Sequence, residues 1–146
     1  MKKSLLSIMY HNILVNMFMT FVVIVRNRHV FWNVPLSTVF GHMGVGVVIN
    51  ERCKIGEHCM VAQNVTVGSK DVDGPVPTLE DHVILMANSA VFGDVVIGHH
   101  SVVAPGSMVF DSCPPYSFLA GEESKARVKK TISLDDFRRY ERVFIP

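Results

Sequence analysis

The chain has 146 residues, which is enough for one buried core but not for two. Its 14 basic and 13 acidic residues give a formal net charge of +1, so no overall field indicates nucleic-acid binding. The three cysteines are an odd number without CxxC spacing, which argues against a complete disulfide set and favours a reducing cytoplasm.

The first element is an apolar segment, residues 5–25, within an N-terminal region of residues 1–34 that we expect to be helical. Its longest run without a strongly polar residue is shorter than the roughly 20 residues that span a bilayer. Two lysines precede it as in a secretory signal, but an Arg-Asn-Arg sequence follows where a cleavage site needs small residues. We therefore expect a helix buried between subunits. Peripheral membrane contact, and hence a membrane-associated protein, is the alternative.

The central part of the chain carries an internal repeat of six residues. An aliphatic residue begins each of ten hexads, which are those of Ile49, Ile55, Val61, Val67, Leu79, Leu85, Val91, Ile97, Val103 and Val109. Four positions later, a small or β-branched residue recurs in nine of the ten. A period of six suits neither a helix of 3.6 residues per turn nor one flat strand.

A coil with short straight sides explains this period. If three hexads complete a triangular turn, each aliphatic residue points to the axis and stacks on its equivalent about 4.8 Å away. Gly, Asp and Pro residues beside these positions suit tight corners. The pattern predicts a mainly β fold, a parallel β-helix over residues 35–130, because an ordinary sandwich would have to repeat ten hexads by chance.

The repeat is interrupted by residues 69–78, whose Asp, Gly and Pro content disfavours strand pairing. We expect this segment to protrude as a loop, either as part of a binding site or as a solvated excursion without a role. In the last region, residues 131–146, Ser133 followed by Asp136 predicts the capped start of a short helix. We expect this helix to cover the end of the β-helix.

Three stretches of the repeat region carry motifs beyond the hexads. They are HMGVGVVINERCKIGEHCMVAQNVTVGS from His42, PTLEDHVILMANSAVFGDVVIGHHSVVAPGSMV from Pro77, and DSCPPYSFLAGEESKARVKK from Asp111. With these stretches the chain resembles the left-handed β-helix acyltransferases, in particular the serine acetyltransferase-like branch, which includes sugar and polysaccharide O-acetyltransferases. The resemblance implies left-handed winding, a homotrimer, and acetyl-coenzyme A as the donor of an acetyl group to a hydroxyl.

The resemblance also implies catalytic residues. His42 matches the histidine that takes a proton from the acceptor hydroxyl, and imidazole, with an unperturbed pKa of about 6.5, is a suitable base for this step. Glu51 matches a glutamate near the active site. We expect it to support catalysis or to be simply a solvated corner carboxylate.

Contacts with acetyl-coenzyme A follow from the same resemblance. Gly68 matches the position where the backbone approaches the thioester, and Ala87 and Pro105 match small residues of the groove that holds the pantetheine arm. Near the C-terminus a lysine that meets the nucleotide phosphates is matched by Lys125, with Arg127 and Lys130 close by. A solvated charge run is the alternative there, because the neighbouring glutamates would repel phosphate.

Two departures from the resembled pattern affect the acceptor. Gly41 stands where an Asp precedes the matching histidine, and Val76 stands where a second active-site histidine is found. Both changes favour a saccharide over serine as the acceptor. Without the Asp, the tautomer of His42 must be fixed by a backbone carbonyl, by Glu51 or by a neighbouring chain.

The sequence therefore predicts an acetyl-coenzyme A-dependent O-acetyltransferase that acts on a saccharide or similar acceptor, with serine as the alternative. No metal is expected, because His58 and His82 occupy outward corner positions, and no H-x4-H pair occurs. We expect His99 and His100 to share one corner and to be solvated. Two readings from other classes are a trimeric scaffold that has lost catalysis and a membrane-anchored assembly factor.

Overall fold

The computed structural model describes residues 34–121 and 127–142, together with residues 14, 15, 17, 18 and 21. Short strands wind into a left-handed parallel β-helix, as the hexads and the resemblance predict. The strands are β1 Val39–Phe40, β2 Val48–Ile49, β3 Lys54–Ile55, β4 Met60–Val61, β5 Thr66–Gly68, β6 Thr78–Leu79, β7 Ile84–Leu85, β8 Ala90–Phe92, β9 Val96–Ile97, β10 Val102–Val103, β11 Met108–Val109, β12 Ser117–Ala120 and β13 Arg127–Thr131. A helix, α1, spans Leu134–Glu141.

The strands form the three sides of a triangular prism, because from β1 to β11 every third strand of the coil joins the same sheet. In the last turn the third side is only an isolated bridge between Ile97 and Cys113, so β12 follows β10 in its sheet. Side A contains β1, β4, β7, β10 and β12, in that order, and β13 pairs antiparallel with β12. Side B contains β2, β5, β8 and β11, and side C contains β3, β6 and β9. The register places Val61 beside Leu85 and Leu85 beside Val103. Equivalent hexad positions therefore stack directly above one another.

The core is the predicted column of aliphatic residues. The ten residues that begin the hexads are all buried, nine of them with at most 1 % of their surface exposed. The second stripe is buried as well, and it includes the three cysteines. Burial raises the pKa of Cys53 to about 11 and that of Cys59 to about 12, so both thiols stay protonated and serve packing. Each fully buried aliphatic side chain contributes roughly 1.5–3 kcal/mol.

Two corners of the prism are built from residues with positive φ. Asn64 and Asn88 occupy the corner between sides A and B, where the amide of Asn64 donates to Oδ1 of Asn88 at 3.1 Å. Three histidines and a tyrosine occupy the corner between sides C and A, namely His58, His82, His100 and Tyr116, with φ between 55° and 58°. Asn and His enter this backbone region more readily than most residues, which explains their recurrence at the corners.

The C-terminal helix begins at the predicted capping box, in which the Ser133 side chain accepts from the amide of Asp136. Its buried residue, Phe137, packs with Met60, Ile84 and Val102, which point outward from side A. The helix therefore covers a side of the prism, and our expectation that it covers the end was wrong. The physical reason is that the outward face of side A is apolar. Strand β13 covers the last strand edge instead.

The interruption of the repeat protrudes as predicted, since no strand lies between Gly68 and Thr78 and Val72 within it is 94 % exposed. Most of the N-terminal segment lies outside the described residues. The few of its residues that are described are helical and exposed in the isolated chain. Within the described part of the chain, no helix is long and apolar enough to cross a membrane.

Candidate functional site

His42 lies two positions after the end of β1, at the corner between sides A and B. It lies in a short 3₁₀ turn, Gly41–Gly44, in which His42 and Met43 have φ of 48° and 59°. Gly44 and Gly46 also have positive φ, so the chain reverses sharply over these residues. This tight turn leaves the imidazole exposed on the outside of the prism.

A groove of about 350 Å³ lies beside this imidazole. It is lined by Gly41, His42, Ala62, Gln63, Met86, Ala87 and Pro105. Three residues that the resemblance assigned to the site, His42, Ala87 and Pro105, thus share one groove. The strand register explains why, since each of these residues follows a strand of side A by the same number of positions. They stack in one column along the corner, with Gln63 between His42 and Ala87.

The groove has small walls and few polar groups. Glycine, alanine, proline and methionine contribute most of its lining, and His42 and Gln63 are the two lining residues with a hydrogen-bonding side chain. Such a groove suits a slender chain that runs along the corner past the imidazole. Gln63 and Met86 were not predicted from the sequence. What could have identified them is their place in the stacked turns. The inserted loop lengthens one turn, so a constant six-residue period does not show this place in the sequence.

Glu51 and Gly68 line a different groove, of about 400 Å³, on side B and at its corner with side C. Its other lining residues are Val48, Ile49, Asn50, Thr66, Val67, Ser69 and Phe92. A Cβ added at Gly68 would meet only Asn50, at 3.8 Å, so packing does not require glycine there. Because the two grooves are separate, Glu51 could meet His42 only if a second chain brought the grooves together. The role of Glu51 stays a prediction.

The third corner holds a stack of aromatic rings. The ring centroids of His58 and His82 are 5.1 Å apart, those of His82 and His100 are 4.6 Å apart, and Tyr116 stacks on His100 at 5.1 Å. Burial, together with His82 and His99 nearby, lowers the pKa of His100. His99 and His100 are half-buried, so our prediction that both are solvated was wrong. The described residues contain no cluster of three or more metal-ligating side chains.

Comparison with known proteins shows which enzymes this chain resembles in sequence. No family model matches the sequence. The serine acetyltransferase of Bacillus subtilis (strain 168) is 35 % identical over 80 residues, which cover 53 % of this chain and 37 % of that protein. The enzyme of the same name from Bacillus pumilus is 34 % identical over 93 residues, which cover 60 % and 43 %. Over part of its length, this chain is therefore similar in sequence to these two serine acetyltransferases. The chain spans about two fifths of the length of these curated relatives.

Solved structures of serine acetyltransferases share the fold. The soybean enzyme complexed with serine matches with a TM-score of 0.57 and 30 % identity, over 62 % of this chain and 37 % of that one. The Brucella abortus enzyme in complex with coenzyme A matches with a TM-score of 0.58 and 21 % identity, over 68 % and 42 %. The predicted architecture is therefore confirmed.

The structure also shows how the chain accommodates its departures from the resembled pattern. Val76, at the position of the second histidine, packs against the core and is partly buried. Gly41, at the position of the aspartate, lines the His42 groove without contributing a side chain. Neither position therefore carries a polar side chain, and Val76 makes an apolar contact instead.

The residues assigned to the nucleotide phosphates are only partly described. Arg127 and Lys130 are exposed on β13, and Nζ of Lys130 lies 5.4 Å from the ring centroid of Phe118. Lys125 lies outside the described residues. A phosphate-binding role for this strand stays a prediction.

Proposed function

We propose that the protein is an acetyl-coenzyme A-dependent O-acetyltransferase in which His42 is the general base. The observation that carries this proposal is the shared groove of His42, Ala87 and Pro105. Its small walls suit the narrow pantetheine arm, and its one imidazole lies at an end of the column. A serine acetyltransferase with the same fold has been solved in complex with coenzyme A, which supports testing that ligand here.

The groove accounts for the chemistry with the chain's own side chains. His42 takes the proton of the acceptor hydroxyl while the hydroxyl oxygen bonds to the thioester carbonyl carbon. The carbon–sulfur bond then breaks, and the imidazolium returns the proton to the sulfur, so that coenzyme A leaves as a thiol. Base assistance of this kind is typically worth about 10²–10⁴ in rate.

For the acceptor, the relatives favour serine over a saccharide. The curated relatives cited above are named serine acetyltransferases, and one structure contains serine. A saccharide, which Gly41 and Val76 led us to expect, is named in none of these. Serine would need an anionic partner for its ammonium group, and Glu51 in the second groove is a suitable one. We therefore propose serine as the first acceptor to test and a sugar hydroxyl as the second.

A homotrimer would join the two grooves. In this proposal, the His42 groove of one protomer faces the Glu51 groove of its partner. Val45, which lies between these grooves along the chain, is 63 % exposed, and Val48, which lines the Glu51 groove, is 41 % exposed. Apolar side chains that are exposed in one chain are suited to burial between chains.

A cytoplasmic location with membrane contact through residues 5–25 is a separate proposal. Complete recovery of the protein in the soluble fraction would exclude the membrane contact.

The proposal is tested by measuring thiol release from acetyl-coenzyme A with serine, with other hydroxyl amino acids and with a panel of sugars. Turnover with serine and little with sugars is the expected result. Turnover with a sugar alone would keep the acetyltransferase and change its acceptor. Thiol release that no acceptor stimulates would favour the non-catalytic scaffold.

A further inference from the structure

We infer that Gln63 is the positioning residue for His42. In this inference, Nδ1–H of His42 donates a hydrogen bond to the side-chain carboxamide oxygen of Gln63, which leaves Nε2 unprotonated as the base. The inference rests on the proposed function, because it assigns a partner to the proposed base. It also fills the role that a preceding aspartate would have if position 41 were not glycine.

The composition of the groove is the first argument. Of its seven lining residues, only His42 and Gln63 have side chains that form strong hydrogen bonds. A neutral imidazole carries one proton on either nitrogen, and the hydrogen bond made by one nitrogen decides which state the other adopts. An acceptor is needed for that, and Gln63 is the one side chain of the groove that provides it.

The register of the coil is the second argument. Phe40 of β1 pairs with Val61 of β4, so the residues two positions later, His42 and Gln63, lie on adjacent turns of the same corner. Adjacent turns are about 4.8 Å apart, which a glutamine side chain and an imidazole can bridge. The turn of Gln63 is fixed by its carbonyl, which accepts from the amide of Asn88 at 3.1 Å.

The other side chains that could fix the tautomer of His42 lie elsewhere in the chain. Within one chain Glu51 lines the second groove, in the proposed trimer it is assigned to the ammonium group of serine, and Gly41 has no side chain. Within the described ranges, the side chains of His42 and Gln63 make no hydrogen bond, either to each other or to another group, so neither is committed to a competing partner. Hydrogen bonds of catalytic groups often tighten only when substrate binds, which fits a contact that closes with acetyl-coenzyme A present.

Two substitutions test the inference by kinetics. Gln63→Met keeps the length of the side chain without a strong acceptor, and we expect kcat to fall roughly 10–100-fold with little change in the KM for acetyl-coenzyme A. Gln63→Glu should keep most of the activity and move the acid limb of the kcat/KM profile to higher pH, because a carboxylate stabilises the imidazolium. Asn64→Gly is the matched control, since Asn64 is adjacent, exposed and at positive φ. It should leave both quantities unchanged.

A measurement that needs no turnover separates this inference from the proposed function. Nitrogen-15 NMR of the histidine rings, with coenzyme A bound, should find His42 mainly as the Nδ1–H tautomer in the wild type and mainly as the Nε2–H tautomer in Gln63→Met. An Nε2–H tautomer in the wild type would overturn the inference, as would an unchanged kcat in an active Gln63→Met variant. An enzyme inactive with every acceptor but showing the predicted tautomer change would contradict the proposed function and leave the contact standing.

Discussion

The imidazole rings of His82 and His100 stack with their centroids 4.6 Å apart and their planes 28° apart. His58 and Tyr116 extend this stack at both ends. The edge of the Phe137 ring lies against His100, with centroids 5.0 Å apart, so the stack touches the one fully buried side chain of α1. The corner between sides C and A is therefore coupled to the packing of the C-terminal helix.

This stack predicts that the fold loses stability in mild acid. Burial lowers the pKa of His100 below its ordinary value of 6.5, with His82 and His99 acting in the same direction and Asp81 opposing them. Glu80 and Lys54 also line this corner. Because its pKa is lower in the folded protein, His100 binds a proton more readily in the unfolded chain. The stability that the neutral imidazole contributes is therefore fully present above about pH 6.5 and is lost as the pH falls through the lower folded-state pKa. Asp136, whose pKa is lowered by Ser133, acts only in stronger acid.

Urea unfolding at about pH 7.5 and about pH 5 measures this effect. His100→Asn, which suits the positive φ and cannot become charged, should flatten the difference between the two pH values. His42→Asn is the matched control, since it changes an exposed histidine with positive φ at another corner. It should keep the wild-type difference. A wild type equally stable at both pH values would contradict the prediction.

The axial column predicts a large cost for a cavity at its centre. Leu85 is fully buried and lies between Val61 and Val103. Leu85→Ala should lower the free energy of unfolding by about 2–5 kcal/mol, because the rigid turns above and below cannot collapse into the space. Val72→Ala, in the exposed loop, should change it by less than about 0.5 kcal/mol. Equal effects of the two substitutions in chemical denaturation would argue against the column as the core.

The groove beside His42 predicts that its width controls donor binding. Ala87→Leu adds bulk to the wall of the groove, and we expect the KM for acetyl-coenzyme A to rise about tenfold or more. A tenfold rise corresponds to a loss of roughly 1.4 kcal/mol of binding free energy. Lys54→Leu places the same side chain on an exposed outward position of side C and should leave the KM unchanged. An unaltered KM in Ala87→Leu would place the pantetheine arm elsewhere.

The basic residues of β13 predict a contact with a phosphate group of acetyl-coenzyme A. A donor that lacks this phosphate tests the contact. The double variant Arg127→Ala/Lys130→Ala should raise the KM for acetyl-coenzyme A several-fold. The KM for a donor without the 3′-phosphate should rise much less. Arg138→Ala/Arg139→Ala removes the same charge from α1, where both residues pair with neighbouring aspartates. Equal effects of the two double variants would indicate a general influence of charge.

The fold could be predicted from the sequence because one chemical pattern repeats. Each aliphatic residue that begins a hexad lies on the axis, so the period alone fixes which side chains meet. The position of α1 could not be predicted in this way. Its capping box was visible in the sequence, but the side that it covers depends on Met60, Ile84 and Val102, whose outward direction is known only once the turns are stacked.

The site was predictable where the motifs resemble a known family and not beyond them. His42, Ala87 and Pro105 came from that resemblance, and the structure brings them into one groove. Gln63 was missed because the inserted loop lengthens one turn of the coil. Val61 and its neighbour Leu85 are 24 positions apart, whereas Leu85 and Val103 are 18 apart. A constant period therefore does not align Gln63 with the column.

The most direct test of the account is the rate of thiol release by His42→Ala, measured together with the Kd of coenzyme A. We predict a loss of about 10²-fold or more in kcat while coenzyme A binds as in the wild type, because the base is removed and the groove remains. His58→Ala is the matched control, since it removes an exposed histidine from another corner, and it should keep wild-type turnover. Wild-type turnover in His42→Ala would contradict the account.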